Sequence, residues 1–156
     1  MNLFGMFFLV LSSLLSVYMY VLFYKARYRI SERLSFTVTL AAGQITSFVI
    51  AIALYLVFPI DFTIICTVNL WIGIVLGTQF SSVTKKQSVQ AGFFNGGVAA
   101  VMGTMVGAIS FDPTLCGLPA STLSLQNTGI AVGIFGLLLL CVTTLLVRFS
   151  LMKNEK

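Results

Sequence analysis

Three carboxamide side chains, Gln44, Asn69 and Asn95, occur inside long apolar stretches of this sequence. A carboxamide carries both hydrogen-bond donors and an acceptor, so in an apolar environment it either joins two helices or binds a polar molecule. Interhelical hydrogen bonds of this kind are worth about 0.6 kcal/mol on average in membranes, and up to about 2 kcal/mol. The sequence leaves both uses open: the amides are interhelical contacts, or they line a path for a polar solute.

Two aspartates and two cysteines form a second group that could do chemistry. Asp61 and Cys66 lie at the start of one apolar stretch, and Asp112 and Cys116 follow the end of another. We expect all four at the outer surface of the membrane, where they would form the mouth of the helix bundle. A disulfide between Cys66 and Cys116 is one possibility, because disulfides persist on that side; two unpaired thiols are the favoured interpretation. Cys141 lies deep in the last apolar stretch and is expected to be a buried, reduced thiol.

A copper path is the metal-binding alternative for this outer group. Thioether and thiolate sulfur atoms suit Cu(I), and Met102 and Met105 lie within one apolar stretch. However, two residues at this spacing point about 60° apart on a helix, and methionine commonly fills irregular gaps between helices. We therefore predict no metal site and no other cofactor.

The residues that most enzymes require are missing. The chain contains no histidine, which removes the usual general base and the commonest metal ligand. No Asp, Glu, Lys or Arg falls in the middle of a long apolar stretch, whereas such intramembrane groups usually mark proton relays and ion-coupled transport. The sequence also lacks the glycine-serine elbow of hydrolases and a phosphate-binding loop. We predict that the protein is not an enzyme.

The elements that position these residues follow from composition. Hydrophobic residues make up 58% of the chain and charged residues only 8%, and the mean hydropathy is +1.05. Soluble domains contain about 25% charged residues, and an uncharged stretch of about 18 residues or more is long enough to span a membrane. The sequence therefore predicts an all-α integral membrane protein that forms a single polytopic domain over residues 1–156. Its five predicted transmembrane helices are at roughly 3–24, 35–58, 62–82, 89–110 and 129–147.

The charges predict the orientation in the membrane. All nine basic residues fall on one side of the five spans: Lys25, Arg27, Arg29, Arg33, Lys85, Lys86, Arg148, Lys153 and Lys156. Because cytoplasmic loops carry the excess of Lys and Arg, we expect the N-terminus outside and the C-terminus in the cytoplasm, in a cytoplasmic membrane. The net charge of +5 then favours contact with anionic lipid headgroups. It does not indicate nucleic-acid binding, because no basic stripe is interleaved with aromatic residues.

Small residues predict how the helices pack. On a helical wheel at about 100° per residue, Gly103 and Gly107 of the fourth span fall on one side, and Val98 and Met105 fall on the other. Small residues spaced four apart let two helix backbones approach closely in lipid. We therefore expect spans two to five to form a tight core, with the first span peripheral and facing lipid. The candidate helix-packing residues are Gly73, Gly77, Gly92, Gly96, Gly103, Gly107, Gly129 and Gly133.

The sequence also contains a weak internal repeat. The second and fourth spans both open with Ala-Gly, at 42–43 and 91–92, and the third and fifth each carry Gly-x-x-x-Gly, at 73–77 and 129–133. This order indicates two parallel hairpins related by an axis along the membrane normal. Chance recurrence of short glycine and alanine motifs is the alternative interpretation.

Taken alone, these residues favour a non-catalytic membrane subunit. It would pack with copies of itself, as a homo-oligomer, or with another membrane protein in a larger assembly. The lipid bilayer would surround it. The alternative is a small channel or transporter for a neutral or weakly charged solute, with Gln44, Asn69 and Asn95 along its path. The two hypotheses differ in whether those amides line a continuous cavity or lie in dry helix contacts.

Overall fold

Five long helices make up the described part of the protein, which contains no strand. The computed structural model describes residues 2–26, 32–59, 61–83, 86–112 and 125–153. The helices are α1 (Asn2–Ala26), α2 (Glu32–Val57), α3 (Phe62–Ser82), α4 (Lys86–Phe111) and α5 (Leu125–Lys153). Each is long and apolar enough to cross a membrane, so the prediction of five spans is confirmed.

The turn between α2 and α3 shows why the helices end where they do. Pro59 lacks an N–H group and disfavours a helical conformation in the residue before it. The last helical hydrogen bond of α2 is therefore the one that the Phe58 N–H donates to the Leu54 carbonyl, at 2.9 Å. The next helix begins at once, because the Ile64 and Ile65 N–H groups both donate to the Asp61 carbonyl, at 3.0 and 3.2 Å.

The helices form a bundle with two chemically different ends. The ends of α1 and α5 that carry Lys25 and Arg148 define the basic end, and Asp61 and Asp112 lie at the opposite, acidic end. Helix α2 contacts each of the other four helices, and the most extensive contact in the bundle is between α3 and α4. Helix α2 is therefore the central element.

Two apolar clusters are buried around α1, α2 and α5, and α3 adds one residue, Phe80, to the second. The acidic-end cluster contains Phe8, Val49, Ile52, Ala53, Leu56 and Leu140. The basic-end cluster contains Met19, Phe23, Ala42, Phe80 and Val147. In lipid these side chains gain little from leaving water, so close van der Waals contact provides the stabilisation.

The sequence predicts that α1 is a peripheral helix, and the structure adds that one of its faces belongs to the core. One face of α1 is fully enclosed, because Phe8, Met19 and Phe23 are at most 1% exposed. The opposite face remains on the surface, with Phe7 and Leu14 more than 60% exposed. The sequence does not mark this difference, because large apolar residues occupy both faces.

Candidate functional site

Helices α3 and α4 approach each other through four glycines: Gly73, Gly77, Gly92 and Gly96. All four are buried. A Cβ atom added at Gly77 would lie 2.9 Å from the Gly96 Cα, and one added at Gly73 would lie 2.5 Å from the Gly96 carbonyl oxygen. Real Cβ atoms do not approach that closely, so only glycine fits at these positions.

A second pair of glycines places α4 against α2. A Cβ atom at Gly103 would lie 3.0 Å from the Ala51 Cβ, and one at Gly107 would lie 2.9 Å from the Tyr55 Cβ. Gly103 also faces the Phe48 carbonyl. Helix α4 therefore contacts α3 through its first glycine pair and α2 through its second.

The glycines of α5 have different neighbours. A Cβ atom at Gly129 would meet only the Leu56 side chain, at an ordinary contact distance of 3.6 Å. Gly133 and Gly136 lie beside the rings of Phe4 and Phe8, 3.3 Å from the position of an added Cβ. The α5 glycines therefore accommodate side chains, whereas the α3 glycines meet backbone, so the two hairpins of the suggested repeat do not pack alike.

Asn69 of α3 lies in a buried contact with both neighbouring helices. The residue is 1% exposed, and its Nδ2 donates to the Ala51 carbonyl at 3.2 Å and to the Thr104 Oγ1 at 2.8 Å. The Thr104 hydroxyl in turn donates to the Ala100 carbonyl at 2.8 Å, so it can only accept from Asn69. The Asn69 Oδ1 is buried and has no hydrogen-bond partner among the described residues.

Gln44 and Asn95 share a crevice closer to the basic end. Its lining comes from α2, α3 and α4: Leu40, Gly43, Gln44, Gly77, Ser81, Gly92, Asn95 and Gly96. The crevice contains about 130 Å³ of empty space but no gap wide enough for a water molecule. Both amides are half-buried, and neither makes a hydrogen bond within the described part of the chain.

Of the three predicted amides, the structure brings two together and leaves the third apart. Asn69 lies two helical turns from Gly77 along α3, which is about 12 Å. Between them, the Ser47 Oγ of α2 donates to the Gly73 carbonyl at 3.3 Å, next to the closest backbone contact of the bundle. The crevice and the Asn69 contact are therefore two separate polar sites.

The predicted outer group lies at the acidic end as far as the structure describes it. Asp61 and Asp112 are exposed, and Cys66 is a half-buried free thiol. Cys116 lies outside the described residues, so the predicted mouth is described only in part. Cys141 corrects the expectation of burial: it is a free thiol on the exposed surface of α5, because its position on the wheel faces away from α1 and α2.

The copper alternative involves two methionines and the acidic-end residues. No group of three or more Cys, Asp or Glu side chains among them could hold a metal ion. Met102 and Met105 are 57% and 49% exposed on the outer side of α4. Methionines in that position line no path between the helices.

The sequence alone assigns no hydrogen bonds to two hydroxyl residues that the site uses, Ser47 and Thr104. Both are buried, at 1% and 0% exposure. Ser47 donates from α2 to α3, and Thr104 of α4 accepts from Asn69 of α3. The sequence does contain a signal for both residues, since Thr104 follows Gly103 and Ser47 lies one turn after Gly43. Small hydroxyl residues adjacent to helix-packing glycines are typical interhelical hydrogen-bonding residues in membranes.

Comparison with known proteins adds no family to this description. No protein-family model matches the chain, and no curated protein or solved structure matches it either.

Proposed function

We propose that the chain is a non-catalytic membrane subunit that packs with further copies of itself. This proposal rests on the environment of the three amide side chains, Gln44, Asn69 and Asn95. Asn69 is hydrogen-bonded in a buried contact of three helices, and the crevice beside Gln44 and Asn95 has no room for water. Asn69 therefore joins helices, and a crevice this narrow supports a packed subunit more than a continuous aqueous path.

The glycine contacts support a scaffold role. In a membrane, close backbone approach and interhelical hydrogen bonds provide the association that the hydrophobic effect cannot. The contacts of Gly77 with α4 and of Gly103 with α2 leave no space for a side chain. A three-helix unit of α2, α3 and α4 held in this way is rigid enough to present a fixed surface to a partner.

The two unpaired amides indicate where a partner would bind. An amide without hydrogen bonds in an apolar environment costs about 1–3 kcal/mol by protein data. Gln44 and Asn95 are half-buried at membrane depth and have no hydrogen bond within the described residues. Each has both donors and an acceptor, so two copies related by a twofold axis could pair Gln44 of one with Asn95 of the other.

Two differently tagged copies, expressed together and solubilised in a mild detergent, test this proposal. We expect one tag to capture the other, and we expect capture to fall several-fold when Gln44 and Asn95 are both changed to Leu. Val98→Leu is the matched control, because Val98 is 54% exposed on the same helix as Asn95. Equal capture by the double variant and the control would contradict the assigned surface, and no capture at all would contradict self-association.

We further propose that the protein lies in a cytoplasmic membrane with its N-terminus outside and its C-terminus inside. The support is the charge asymmetry of the sequence, with Asp61 and Asp112 at one end and all nine basic residues at the other. A reporter fused after Lys156 should be active only in its cytoplasmic form, and one inserted within residues 114–126 only in its external form. A cytoplasmic signal from the inserted reporter would contradict this orientation.

One observation keeps a small channel or transporter as the alternative. Gln44 and Asn95 face the same crevice with free hydrogen-bonding groups, which a small polar solute could use if the helices moved apart. Purified protein in liposomes separates the two functions by the flux of small neutral solutes. Flux that disappears in Gln44→Leu would favour transport, and its absence at high protein density would favour the subunit.

A further inference from the structure

Two hydroxyl groups buried between α1 and α2 are not explained by the contacts of the protein itself. Ser16 and Thr46 are 6% and 0% exposed, and neither hydroxyl has a hydrogen-bond partner among the described residues. Buried hydroxyls without a partner are rare, because the loss of hydration is not compensated. This pair lies outside the surfaces used in the proposed function, and the inference does not depend on that function.

Other hydroxyls in this region show what Ser16 and Thr46 lack. A Ser or Thr in a helix usually donates to a carbonyl three or four residues earlier. The hydroxyls of Ser12, Thr143 and Thr144 do so here, at 3.0, 2.6 and 2.6 Å. Ser16 and Thr46 make no such bond within their own helices.

The register of α1 and α2 indicates that the two residues lie at the same depth. A Cβ atom added at Gly5 of α1 would lie 3.2 Å from the Leu56 carbonyl of α2, and Met19 and Ala42 share the basic-end cluster. Ser16 lies eleven residues after Gly5, and Thr46 lies ten before Leu56, which is about 16.5 Å and about 15 Å along the two helices. Since the helices are antiparallel, the two hydroxyls are level with each other.

The faces of the two helices agree with this register. On α1 the buried positions are Phe8, Ser12, Ser16, Met19 and Phe23. On α2 the corresponding positions are Ala42, Thr46, Val49, Ala53 and Leu56. Spacings of three and four place each set on one side of its helix, and the two apolar clusters join these sides above and below the hydroxyl pair.

We propose that Ser16 Oγ and Thr46 Oγ1 bind a water molecule that bridges α1 and α2 in the middle of the membrane. Each hydroxyl can both donate and accept, and the nearby backbone carbonyls keep a second lone pair, so a water would have the two to four partners that a buried water needs. Water is the smallest ligand that offers both a donor and an acceptor to two hydroxyls, and the described side chains supply neither. The site joins α1 to the central helix by a polar contact that neither helix completes alone.

Nuclear magnetic resonance on threonine-methyl-labelled protein in detergent tests the water directly. We expect a nuclear Overhauser cross peak between the Thr46 methyl group and the water resonance, and its loss in Ser16→Ala. The Thr104 methyl is the internal control, because Thr104 is equally buried and its hydroxyl donates to the Ala100 carbonyl. Absence of the Thr46 cross peak from the unaltered protein would overturn the proposal.

Stability measurements supply a second, independent readout. Thr46→Val keeps the shape of the side chain and removes the hydroxyl, so we expect the unfolding equilibrium constant to rise about threefold, the size of an average interhelical hydrogen bond. Ser16→Ala should have a similar effect, and the double variant should be no worse than either single one, because both lose the same water. Greater stability of Thr46→Val, or additive effects, would overturn the bridge, and Thr144→Val controls for the loss of a hydroxyl that its own helix already satisfies.

Discussion

Helices α3 and α4 meet backbone to backbone, whereas α1 and α5 meet through large side chains. In the first region, the atoms nearest to a Cβ built at Gly77 belong to the backbones of Gly92 and Gly96. In the second, Phe8 fills the space beside Gly133 and Gly136, and its ring is fully buried. The same residue type, glycine, thus serves opposite purposes: in α3 it removes an obstacle between helices, and in α5 it leaves room for an aromatic ring.

This difference determines how each region tolerates change. A contact between backbones cannot adjust to an added atom, because helix backbones are stiff and interiors are closely packed. A contact between a glycine and a phenylalanine ring can adjust, since the ring can shift by a few tenths of an ångström. We therefore expect substitutions to act most strongly among α2, α3 and α4.

The largest effect is expected for Gly103→Leu. Its Cβ alone would lie 3.0 Å from the Ala51 Cβ and beside the Phe48 carbonyl, so the rest of the side chain would force α4 away from α2. Overpacking costs about 1–3 kcal/mol in soluble cores, and this contact has less room to relax. Thermal unfolding in detergent should show a large loss for Gly103→Leu and little change for Val98→Leu, which points outward. Equal stability of the two variants would show that the contact of α4 with α2 tolerates an added side chain, contrary to the expected difference.

A matched pair of alanine substitutions tests the same difference between the glycines of α3 and those of α5. Gly77→Ala places a Cβ 2.9 Å from the Gly96 Cα, whereas Gly129→Ala places one 3.6 Å from the Leu56 side chain. Alanine is a better helix former than glycine by about 1 kcal/mol, so Gly129→Ala should be neutral or stabilising, while Gly77→Ala should be destabilising by about 1–2 kcal/mol. Unfolding in a detergent series measures both. A stabilised Gly77→Ala would mean that α3 and α4 are not held at this distance.

A smaller loss is expected for Asn69→Leu, which keeps the approximate size of the side chain. The substitution removes the bonds to Ala51 and Thr104, at a cost of about 0.6–2 kcal/mol by the range for interhelical hydrogen bonds. The Thr104 hydroxyl keeps its bond to the Ala100 carbonyl. The same unfolding assay applies, with Ser12→Ala as the control, since the Ser12 hydroxyl bonds only within α1. An unchanged Asn69→Leu would show that this amide adds nothing to the glycine contact.

The smallest effect concerns the contact of α1 with α3. The Phe80 ring lies edge-on to Tyr20 and Phe23, with centroids 5.7 and 6.2 Å apart. Such pairs add about 0.5–1.5 kcal/mol beyond their area, so Phe80→Leu should destabilise by about that amount. Phe93→Leu is the control, because the Phe93 ring meets only Phe94 of the same helix among the described rings. Hydrogen exchange of α1 amides should rise in the first variant and stay unchanged in the second.

The sequence was sufficient to predict the five helices, because long uncharged stretches leave few alternatives. The bounds of α5 are predicted less well: the sequence predicts a span at 129–147, and the helix runs over Leu125–Lys153. Charge and polarity mark where the membrane span stops, whereas backbone hydrogen bonds continue the helix into water. Periodicity also separates Gly103 and Gly107 of α4, which are buried, from Val98 and Met105, which are exposed.

The sequence alone does not predict which residues contact each other across the helices. Asn69 was identified as a polar residue that needs a contact, but nothing in its neighbourhood indicates the Ala51 carbonyl or Thr104. The enclosed face of α1 was missed for a related reason: hydrophobic residues lie all around that helix, so no period marks the side of Phe8 and Met19. Both depend on the relative register of helices, which is set by the whole bundle.

The acidic-end cluster has a consequence for the order in which the chain is completed during synthesis. Phe8 comes from the first helix, Val49 from the second and Leu140 from the last. Helices α3 and α4, separated by only a few residues, can form their contact as soon as both have entered the membrane. The first helix can pack against α2 early, but the cluster around Phe8 is completed only when α5 has left the ribosome. Chains stalled before residue 125 should therefore leave a cysteine placed at position 8 open to alkylation by a membrane-permeant reagent, and full-length chains should protect it.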